Sequence, residues 1–380
     1  MANVSTSDSA ASPRASRTSG EQTSKKAAKP SDHHRSAQTL FLAAVLVIGA
    51  GVAGYIVLTE AITPNGPPGN PRTSDEAATP AGEAAAPANP FDGAAAYAYL
   101  KQLCEIGPRM SGSPGMAAQQ KLLIDHFEKL GAKVTRQEFK ARNPLTGSAV
   151  PMTNLLIQWH PDRKERVLLS AHYDTRPFPD RDRRNPKGKF VGANDGASGV
   201  ALLMELGKSM PGLQGSYGVD FLLVDGEDLV YWDNATQRDT GSYCVGSEYF
   251  ARQYAAEPPP YKYRWAVLFD MVGGVNLRLP KEGHSVTWPD TKPLVDQIWN
   301  TAARLNVREF IPRVEGEVTD DHVMLHDLGQ IPAIDLICDF SGPRATYPQW
   351  HTQDDDPAHC SPTSLAKVGW VIDEWLKSLK

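Results

Sequence analysis

Short apolar runs alternate with helical patterns along most of the chain. Four runs of strand length are almost continuously apolar, at residues 167–170, 221–224, 267–269 and 333–337. Apolar residues recur at helical spacing in the stretches 94–103, 114–130, 197–208, 247–254, 293–305 and 362–376. Continuous apolar strands separated by helices are typical of a parallel sheet that is covered on both faces. The pattern therefore predicts an α/β fold of three layers, a sandwich in which helices flank a mostly parallel central sheet.

The N-terminal part of the chain has a different pattern. Residues 1–38 are rich in Ser, Ala, Lys and Arg and nearly free of large apolar groups, which predicts a disordered tail. Residues 39–58 carry no charge and match the thickness of a bilayer, so we expect a transmembrane helix there. Residues 59–90 are rich in Pro and Ala and are expected to be a linker. The folded domain is then expected to occupy residues 91–380.

Charges beside the apolar run predict its orientation. Lys25, Lys26, Lys29 and Arg35 precede it and Glu60 follows it. By the positive-inside rule the N-terminus stays cytoplasmic and the folded domain is exported, as in a single-pass signal anchor. A cleaved signal peptide is the alternative. The run is longer than a usual signal core and no clear small-x-small cleavage site follows directly, which favours the uncleaved anchor.

Composition excludes some classes of protein. The chain has 380 residues with a net charge of −5, and 41% hydrophobic and 22% charged residues are ordinary values for a globular protein. The mild acidity argues against a nucleic acid as the main partner. The cysteines are too few for a disulfide scaffold, and no two have zinc-ribbon spacing. The sequence is compatible with one or two disulfides but does not pair the cysteines. They are Cys104, Cys244, Cys338 and Cys360.

Polar residues follow three of the predicted strands. They are His172 and Asp174 after the first strand, Asp225, Glu227 and Asp228 after the second, and Asp270 at the end of the third. The carboxyl ends of parallel strands meet at one edge of a sheet, where ligands bind. One such aspartate alone is often only a helix cap. Three strand ends together, joined by Asp195 and His351, indicate a metal site.

The residue types suit catalytic zinc, which prefers His and carboxylate ligands with one position left open. Glu227 and Asp228 are adjacent and point in different directions, so one can hold a metal while the other faces the substrate. The acids after His351, Asp354 and Asp355, are expected to orient this histidine through its second ring nitrogen.

From about residue 94 to the end, the chain resembles the family that holds glutaminyl cyclases and the related zinc aminopeptidases. The order and spacing of several motifs carry the resemblance. They are His172-Tyr173-Asp174, Gly192-Ala193-Asn194-Asp195, Asp225-Gly226-Glu227-Asp228, Gly246-Ser247, Asp270 and Trp350-His351-Thr352. The resemblance implies the fold of zinc aminopeptidases and an enzyme that acts on free peptide N-termini.

Some features resemble the cyclase branch and others do not. Gly112-Ser113-Pro114-Gly115, the acidic Asp320-Asp321-His322 and a tryptophan before His351 are cyclase-like, whereas Asn194-Asp195-Gly196 is closer to the aminopeptidases. Three positions depart from the cyclase pattern. Asp228 replaces the usual second glutamate, Trp232 is one position away from the pocket tryptophan, and Asp335 stands where cyclases carry histidine. On balance the resemblance favours a glutaminyl cyclase.

The cyclase resemblance implies a role for each residue. One zinc on Asp195, Asp228 and His351 would polarise the side-chain amide of an N-terminal glutamine, and Glu227 would move the proton. Pyroglutamate and ammonia would be the products. Asp270 and Asp320 would hold the intermediate, and Trp350, with Trp232, would wall the pocket.

An aminopeptidase is the alternative. Glu227 would then activate a metal-bound water, and a second zinc would use His172 and Asp270. A non-catalytic binding domain is disfavoured because all of the predicted ligand residues are present. A structural zinc site is also disfavoured, because a site with so many carboxylates suits catalytic zinc better. The charged loop at residues 176–189 is expected to be a solvated surface, with steering of substrates as the other interpretation.

Overall fold

The computed structural model describes residues 88–233, 236 and 238–379. Within them the α-helices are α1 Gly93–Ile106, α2 Pro114–Lys129, α3 Ala197–Leu206, α4 Val245–Ala256, α5 Gly283–Thr287, α6 Lys292–Arg304, α7 Asp321–Asp327 and α8 Pro362–Ser378. The strands are β1 Lys133–Arg142, β2 Ala149–Gln158, β3 Glu165–His172, β4 Gly218–Val224, β5 Tyr231–Asp233, β6 Arg238–Thr240, β7 Lys262–Asp270, β8 Leu279–Lys281, β9 Phe310–Val314 and β10 Ala333–Ile337.

Six strands form the central sheet in the order β1-β2-β4-β3-β7-β10. Strands β4, β3, β7 and β10 run parallel, while β1 and β2 are antiparallel and lie at one edge. Two short pairs, β5 with β6 and β8 with β9, lie outside this sheet. The site-bearing strands β4, β3 and β7 are therefore neighbours in its centre.

Each face of the sheet is covered by helices. Along β3, Val167 and Leu169 face the larger core, whereas Leu168 faces a smaller core on the other side. Helix α1 packs against α3 and α8 on the first face, and α4 packs against α7 on the second. Alternation of buried residues between two cores explains why the strand is apolar at every position.

Helix boundaries follow local capping signals. Ser113 caps α2 by accepting a hydrogen bond from the N–H of Met116, and Pro114 occupies the first turn. Ser361 and Pro362 begin α8 in the same way. A serine cap followed by proline satisfies one free N–H and needs no partner for another.

The predicted three-layer fold is confirmed, and the four predicted strands are the four parallel ones. Strands β1 and β2 were not predicted. Strand β1 lies at the sheet edge with most positions exposed or half-buried, so its sequence lacks a continuous apolar run. Helix α7 was also not predicted, because it is only 7 residues long. All four cysteines are buried free thiols.

Several predictions concern residues outside the described part of the chain. They are the tail at 1–38, the transmembrane helix at 39–58 and nearly all of the linker at 59–90. Among the described residues, no helix is both long and apolar enough to cross a bilayer.

A buried ion pair joins two neighbouring strands at the other end of the sheet. The Arg166 guanidinium donates to both carboxylate oxygens of Asp220 and to the carbonyl oxygen of Trp159 at 2.6 Å. Both charged side chains are almost fully buried. If one of the two side chains is removed, water therefore cannot readily solvate the charge of the other.

We expect Arg166→Leu to lower the free energy of unfolding by about 3–5 kcal/mol, because it leaves the Asp220 charge buried and without its cation. Urea denaturation measures the change. The matched control is Arg252→Leu, which breaks an exposed ion pair with Glu248 and should cost about 1 kcal/mol or less. Equal losses in the two variants would contradict the prediction.

Candidate metal centre and active site

Three neighbouring strands deliver polar side chains to one edge of the sheet. Strand β3 ends at His172, β7 ends at Asp270, and the turn after β4 carries Glu227 and Asp228. The loop before α3 adds Asp195. The strand ends lie side by side because β3 pairs with both β4 and β7.

Two groups of metal-binding side chains share one aspartate. The ligand atoms of Asp195, Asp228 and His351 lie within 4.8 Å of one another, and so do those of His172, Asp195 and Asp270. Asp195 turns one carboxylate oxygen to each group. Its Oδ1 is 3.2 Å from Nε2 of His172, and its Oδ2 is 3.4 Å from Nε2 of His351. The structure thus brings together both predicted ligand sets.

The first group fits zinc in its chemistry. It offers two carboxylates and one imidazole, all buried, which is a common catalytic donor set. Oδ2 of Asp228 is buried and has no hydrogen-bond partner among the described residues. Burial, together with the guanidinium of Arg176, lowers the pKa of His351 to about 4, so the imidazole is neutral at pH 7 and able to act as a ligand.

Burial of so many carboxylates shifts their titration. Burial raises the pKa of Asp228 well above its ordinary value, and the charge of Asp195 adds to this. Burial also raises the pKa of Asp195, but hydrogen bonds from His172 and His351 outweigh it and bring that pKa below its usual range. Such a concentration of buried negative charge favours a bound cation.

Glu227 lies beside the ligands and is held from two sides. Its Oε2 is 3.7 Å from Nδ1 of His172, and its Oε1 is 3.9 Å from Sγ of Cys244. Glu227, Cys244 and Asp320 also form a close group. Burial raises the pKa of Glu227 well above its ordinary value, against an opposing effect of His172.

Asp174 positions the Glu227–Asp228 turn. Its Oδ1 accepts from the N–H of Glu227 and its Oδ2 from the N–H of Asp228, each at 3.1 Å. This residue belongs to a motif that the sequence singles out, but its role depends on the pairing of β3 with β4. Bonds to two consecutive N–H groups fix the direction of both neighbouring side chains.

The acids after His351 do not orient its second ring nitrogen, so that expectation is wrong. Asp355 accepts from the N–H groups of Asn194 and Asp195, at 2.7 and 3.2 Å, and so positions the residue that the two groups share. Asp354 pairs with a surface arginine. The acid nearest to Nδ1 of His351 is Asp180, whose Oδ1 is 3.7 Å away.

The first part of the charged loop is buried in the site, against the expectation of a solvated surface. The Arg176 guanidinium is 1% exposed and donates to Asp228 and, at 2.8 Å, to Asp180. Its Nη1 is 3.0 Å from Nε2 of His351. Arg176 therefore places a permanent positive charge against two of the predicted ligands, which a charge-rich sequence alone does not reveal.

The backbone around the ligands adopts conformations that L-residues rarely take. His351 has a φ of 56°. Gly196 has a φ of 94°, and a Cβ there would lie 2.6 Å from the carbonyl oxygen of Asp174. A positive φ at a non-glycine residue such as His351 is typical of functional sites, whereas glycine tolerates it without strain. The missing Cβ at Gly196 lets the Asp195 loop approach β3 closely.

The two predicted pocket tryptophans have different surroundings. The Trp350 ring lies 4.1 Å from the His351 ring and 4.5 Å from the Phe340 ring, centroid to centroid. Phe340 also lines a cavity of about 660 Å³, together with Thr319 and Ile337. Trp232 instead is 38% exposed on strand β5, and its main-chain N–H donates to Asp180.

Two residues that line the cavity adjoin the predicted catalytic acids. Thr319 precedes Asp320 in sequence, and Ile337 pairs with Asp270 across β10 and β7. Burial raises the pKa of Asp270 to about 7, despite the opposing hydrogen bond with His172. Lining residues of the cavity thus adjoin Asp320 along the chain and Asp270 across the sheet, and Phe340 contacts Trp350.

A buried carboxylate supports the segment in front of Asp320. Glu282 accepts hydrogen bonds from the N–H groups of Ser285 and Val318, at 2.7 and 3.0 Å, and contacts Nε2 of His322 at 3.2 Å. Burial raises the pKa of Glu282, but the hydrogen bonds from His322 and Ser285 outweigh it and lower this pKa to about 2.

We expect Glu282→Gln to lose about 3 kcal/mol of stability at pH 7, by linkage from a pKa that is lower in the folded state than in the unfolded chain. That stabilisation is present above about pH 4.5 and is lost as the pH falls towards about 2. The deficit of the variant should therefore shrink over this range. Urea unfolding of both proteins as a function of pH measures it, with exposed Glu248→Gln as control; a deficit independent of pH would contradict the prediction.

Comparison with known proteins identifies relatives of the chain. Residues 154–376 match the family model described as Peptidase family M28. A glutaminyl-peptide cyclotransferase of Bos taurus is 23% identical over 296 residues, which are 70% of this chain and 76% of that protein.

Solved structures share the whole folded domain. A glutaminyl cyclase of Fimbriiglobus ruber is 40% identical with a TM-score of 0.71, covering 77% of this chain and 96% of its own. A Zn-dependent exopeptidase of Parabacteroides distasonis is 30% identical with a TM-score of 0.69, covering 77% of this chain and 100% of its own. Proteins similar to this chain therefore include both a glutaminyl cyclase and a Zn-dependent exopeptidase.

Proposed function

The chain belongs to peptidase family M28, and on that premise we propose that it is a zinc-dependent glutaminyl-peptide cyclotransferase. Its substrates would be peptides and proteins with an N-terminal glutamine, and its products pyroglutamate and ammonia. The observation that carries the proposal is the position of Glu227 beside His172, which in turn contacts Asp195, the residue shared by both predicted ligand groups. Similarity to cyclases of known structure supports the choice of reaction.

The reaction exchanges one C–N bond for another. The α-amine nitrogen of the substrate attacks the side-chain amide carbon, which closes a five-membered lactam. The bond from that carbon to the amide nitrogen breaks, and ammonia leaves. Glu227 takes the proton from the attacking nitrogen and gives it to the leaving nitrogen, so that no water is consumed. Zinc held by Asp195, Asp228 and His351 would polarise the amide carbonyl.

The surrounding residues restrict how the substrate binds. Asp270 and Asp320 would hold the intermediate, and Asp320 lies in a close group with Glu227. Trp350 supplies an apolar wall that keeps water from the reacting carbon. Trp232 is exposed, and its part in the pocket stays a prediction.

Peptide hydrolysis is the second candidate. The observation that favours it is the second ligand group, in which Nε2 of His172 lies 3.2 Å from Oδ1 of both Asp195 and Asp270. Two metals sharing a bridging aspartate would suit an aminopeptidase. The number of zinc ions separates the two proposals.

One pair of assays decides between them. The purified protein is given Gln-Phe-amide and Leu-amide in parallel, and the products are identified by mass. We expect the first to lose ammonia and keep its peptide bond, and the second to stay intact. A chelator should abolish turnover and added zinc restore it. Release of free leucine or glutamine would instead support the aminopeptidase.

We also propose that residues 39–58 anchor the protein in a membrane with the folded domain exported. Support comes from their lack of charge and from the basic residues before them. The protein should stay in the membrane fraction after washes at high salt and alkaline pH. A mature soluble form that starts after about residue 60 would show cleavage instead.

A further inference from the structure

The charged loop at residues 176–189 is fastened to the segment that carries His351. The N–H of Arg181 donates to the carbonyl oxygen of His351 at 3.1 Å. The N–H of Gln353 donates to Asp182 at 3.1 Å, and Arg184 pairs with Asp354 at 2.8 Å. Three contacts along one stretch hold the loop against the mouth of the site.

Arg181 differs from its neighbours in this loop. Arg176 and Arg184 each pair with carboxylates. The Arg181 guanidinium instead lies over the Trp350 ring, 3.8 Å from its centroid. Within the described part of the chain, no carboxylate is at ion-pair distance from it. Its charge is therefore not neutralised by an ion pair there, and the exposed side chain can contact a ligand.

Trp350 lies between the predicted ligand His351 and the cavity-lining Phe340. The ring contacts His351 on one side and Phe340, at the cavity, on the other. On the proposed function, a peptide whose N-terminal residue lies at Glu227 would place its next residue beside this tryptophan. Arg181 lies over the same ring. The side chain of the second substrate residue would therefore lie near the positive charge of Arg181.

We propose that Arg181 is a specificity-determining residue that favours substrates with an acidic side chain directly after the N-terminal glutamine. This inference rests on the proposed cyclotransferase function and names the substrate class of that site. An acidic side chain gains a charge-assisted hydrogen bond from the guanidinium, whereas a basic one is repelled.

The acidic residues of the cavity do not oppose this preference strongly. Glu315 and Asp339 both pair with Arg313, and Arg344 adds a second cation to Glu315. Glu317 is the most exposed of the cavity carboxylates, and its Oε2 lies 4.0 Å from Nε2 of His284. Most of the negative charge there is already balanced by the chain itself.

The test compares Gln-Glu-amide, Gln-Ala-amide and Gln-Lys-amide as substrates. We expect kcat/KM for the glutamate peptide to exceed that for the lysine peptide by about threefold to tenfold at low ionic strength, as for a partly exposed ion pair. Arg181→Gln should bring the ratio close to one, and Arg181→Glu should invert it. High salt should reduce the ratio in the unmodified protein.

The matched control is Arg183→Gln, which removes the same charge from an exposed position two residues away. It should leave the ratio unchanged, and thermal unfolding of each variant checks the fold. A ratio that stays the same in both Arg181 variants overturns the inference while cyclisation itself continues. Failure of all three peptides to cyclise would instead refute the proposed function. A preference for the lysine peptide in the unmodified protein would assign control to the cavity acids.

Discussion

Glu227→Gln is expected to lower kcat by about 10²–10⁴-fold while the protein keeps its zinc. The variant side chain has the same shape and can still contact His172 and Cys244, but it cannot exchange a proton near neutral pH. Loss of general acid–base catalysis is typically worth this factor. Turnover of a Gln-peptide and zinc content by elemental analysis are measured on the same preparation.

Asp228→Asn is the matched comparison, because it changes the neighbouring residue by the same chemistry. Asp228 belongs to the ligand group and carries a buried oxygen without a hydrogen-bond partner among the described residues. We expect this variant to lose zinc. If Glu227→Gln lost the metal and Asp228→Asn kept it, the two roles would be reversed. Near-normal turnover in Glu227→Gln would exclude both proposed reactions.

Asp195→Ala is expected to weaken zinc binding more than any other single change in the site. Asp195 is the residue that both ligand groups share, with one oxygen towards His172 and the other towards His351. Loss of an outer-shell partner already costs about 10–100-fold in metal affinity, so removal of a shared ligand should cost more. Competition with a coloured chelator measures the affinity, and turnover should fall with it.

Asp270→Asn separates one metal from two. Asp270 belongs only to the second group. With one zinc on Asp195, Asp228 and His351, this variant should keep its zinc and lose turnover. With two zinc ions, it should lose about half of the metal.

The Asp195→Ala prediction has its own contradicting outcome. If this variant bound zinc as tightly as the unmodified protein, both ligand assignments would be refuted.

Local patterns predict the parallel strands and the polar residues at their ends, such as His172 and Asp270, because each follows a buried apolar run. Asp195 and His351 lie in loops and are predicted from their motifs instead. The resemblance to a family adds the expected order of the motifs. The roles of Asp174, Asp355 and Arg176 depend instead on contacts between segments far apart in sequence. Asp174, for example, accepts hydrogen bonds from the turn that follows β4. Only the pairing of β3 with β4 brings Asp174 and this turn together.

Departures from local expectation have physical causes too. Arg176 lies in a loop rich in charge, where solvation is the ordinary outcome, yet buried carboxylates draw its guanidinium inward. Strand β1 has neither a continuous apolar run nor a clear alternation of apolar and polar residues, so its sequence does not predict a strand. Its long antiparallel pairing with β2 stabilises it instead.

Strand β1 has a consequence for how the protein behaves at high concentration. As the outermost strand it presents one row of N–H and C=O groups that the sheet does not use. A second molecule could add to such an edge and start an aggregate. Lys133, Arg136, Lys140 and Arg142 outnumber the single acid Glu138 along it, so two such edges, each with a net positive charge, repel each other as they approach. Replacing these side chains with apolar ones would remove that protection without touching the metal site.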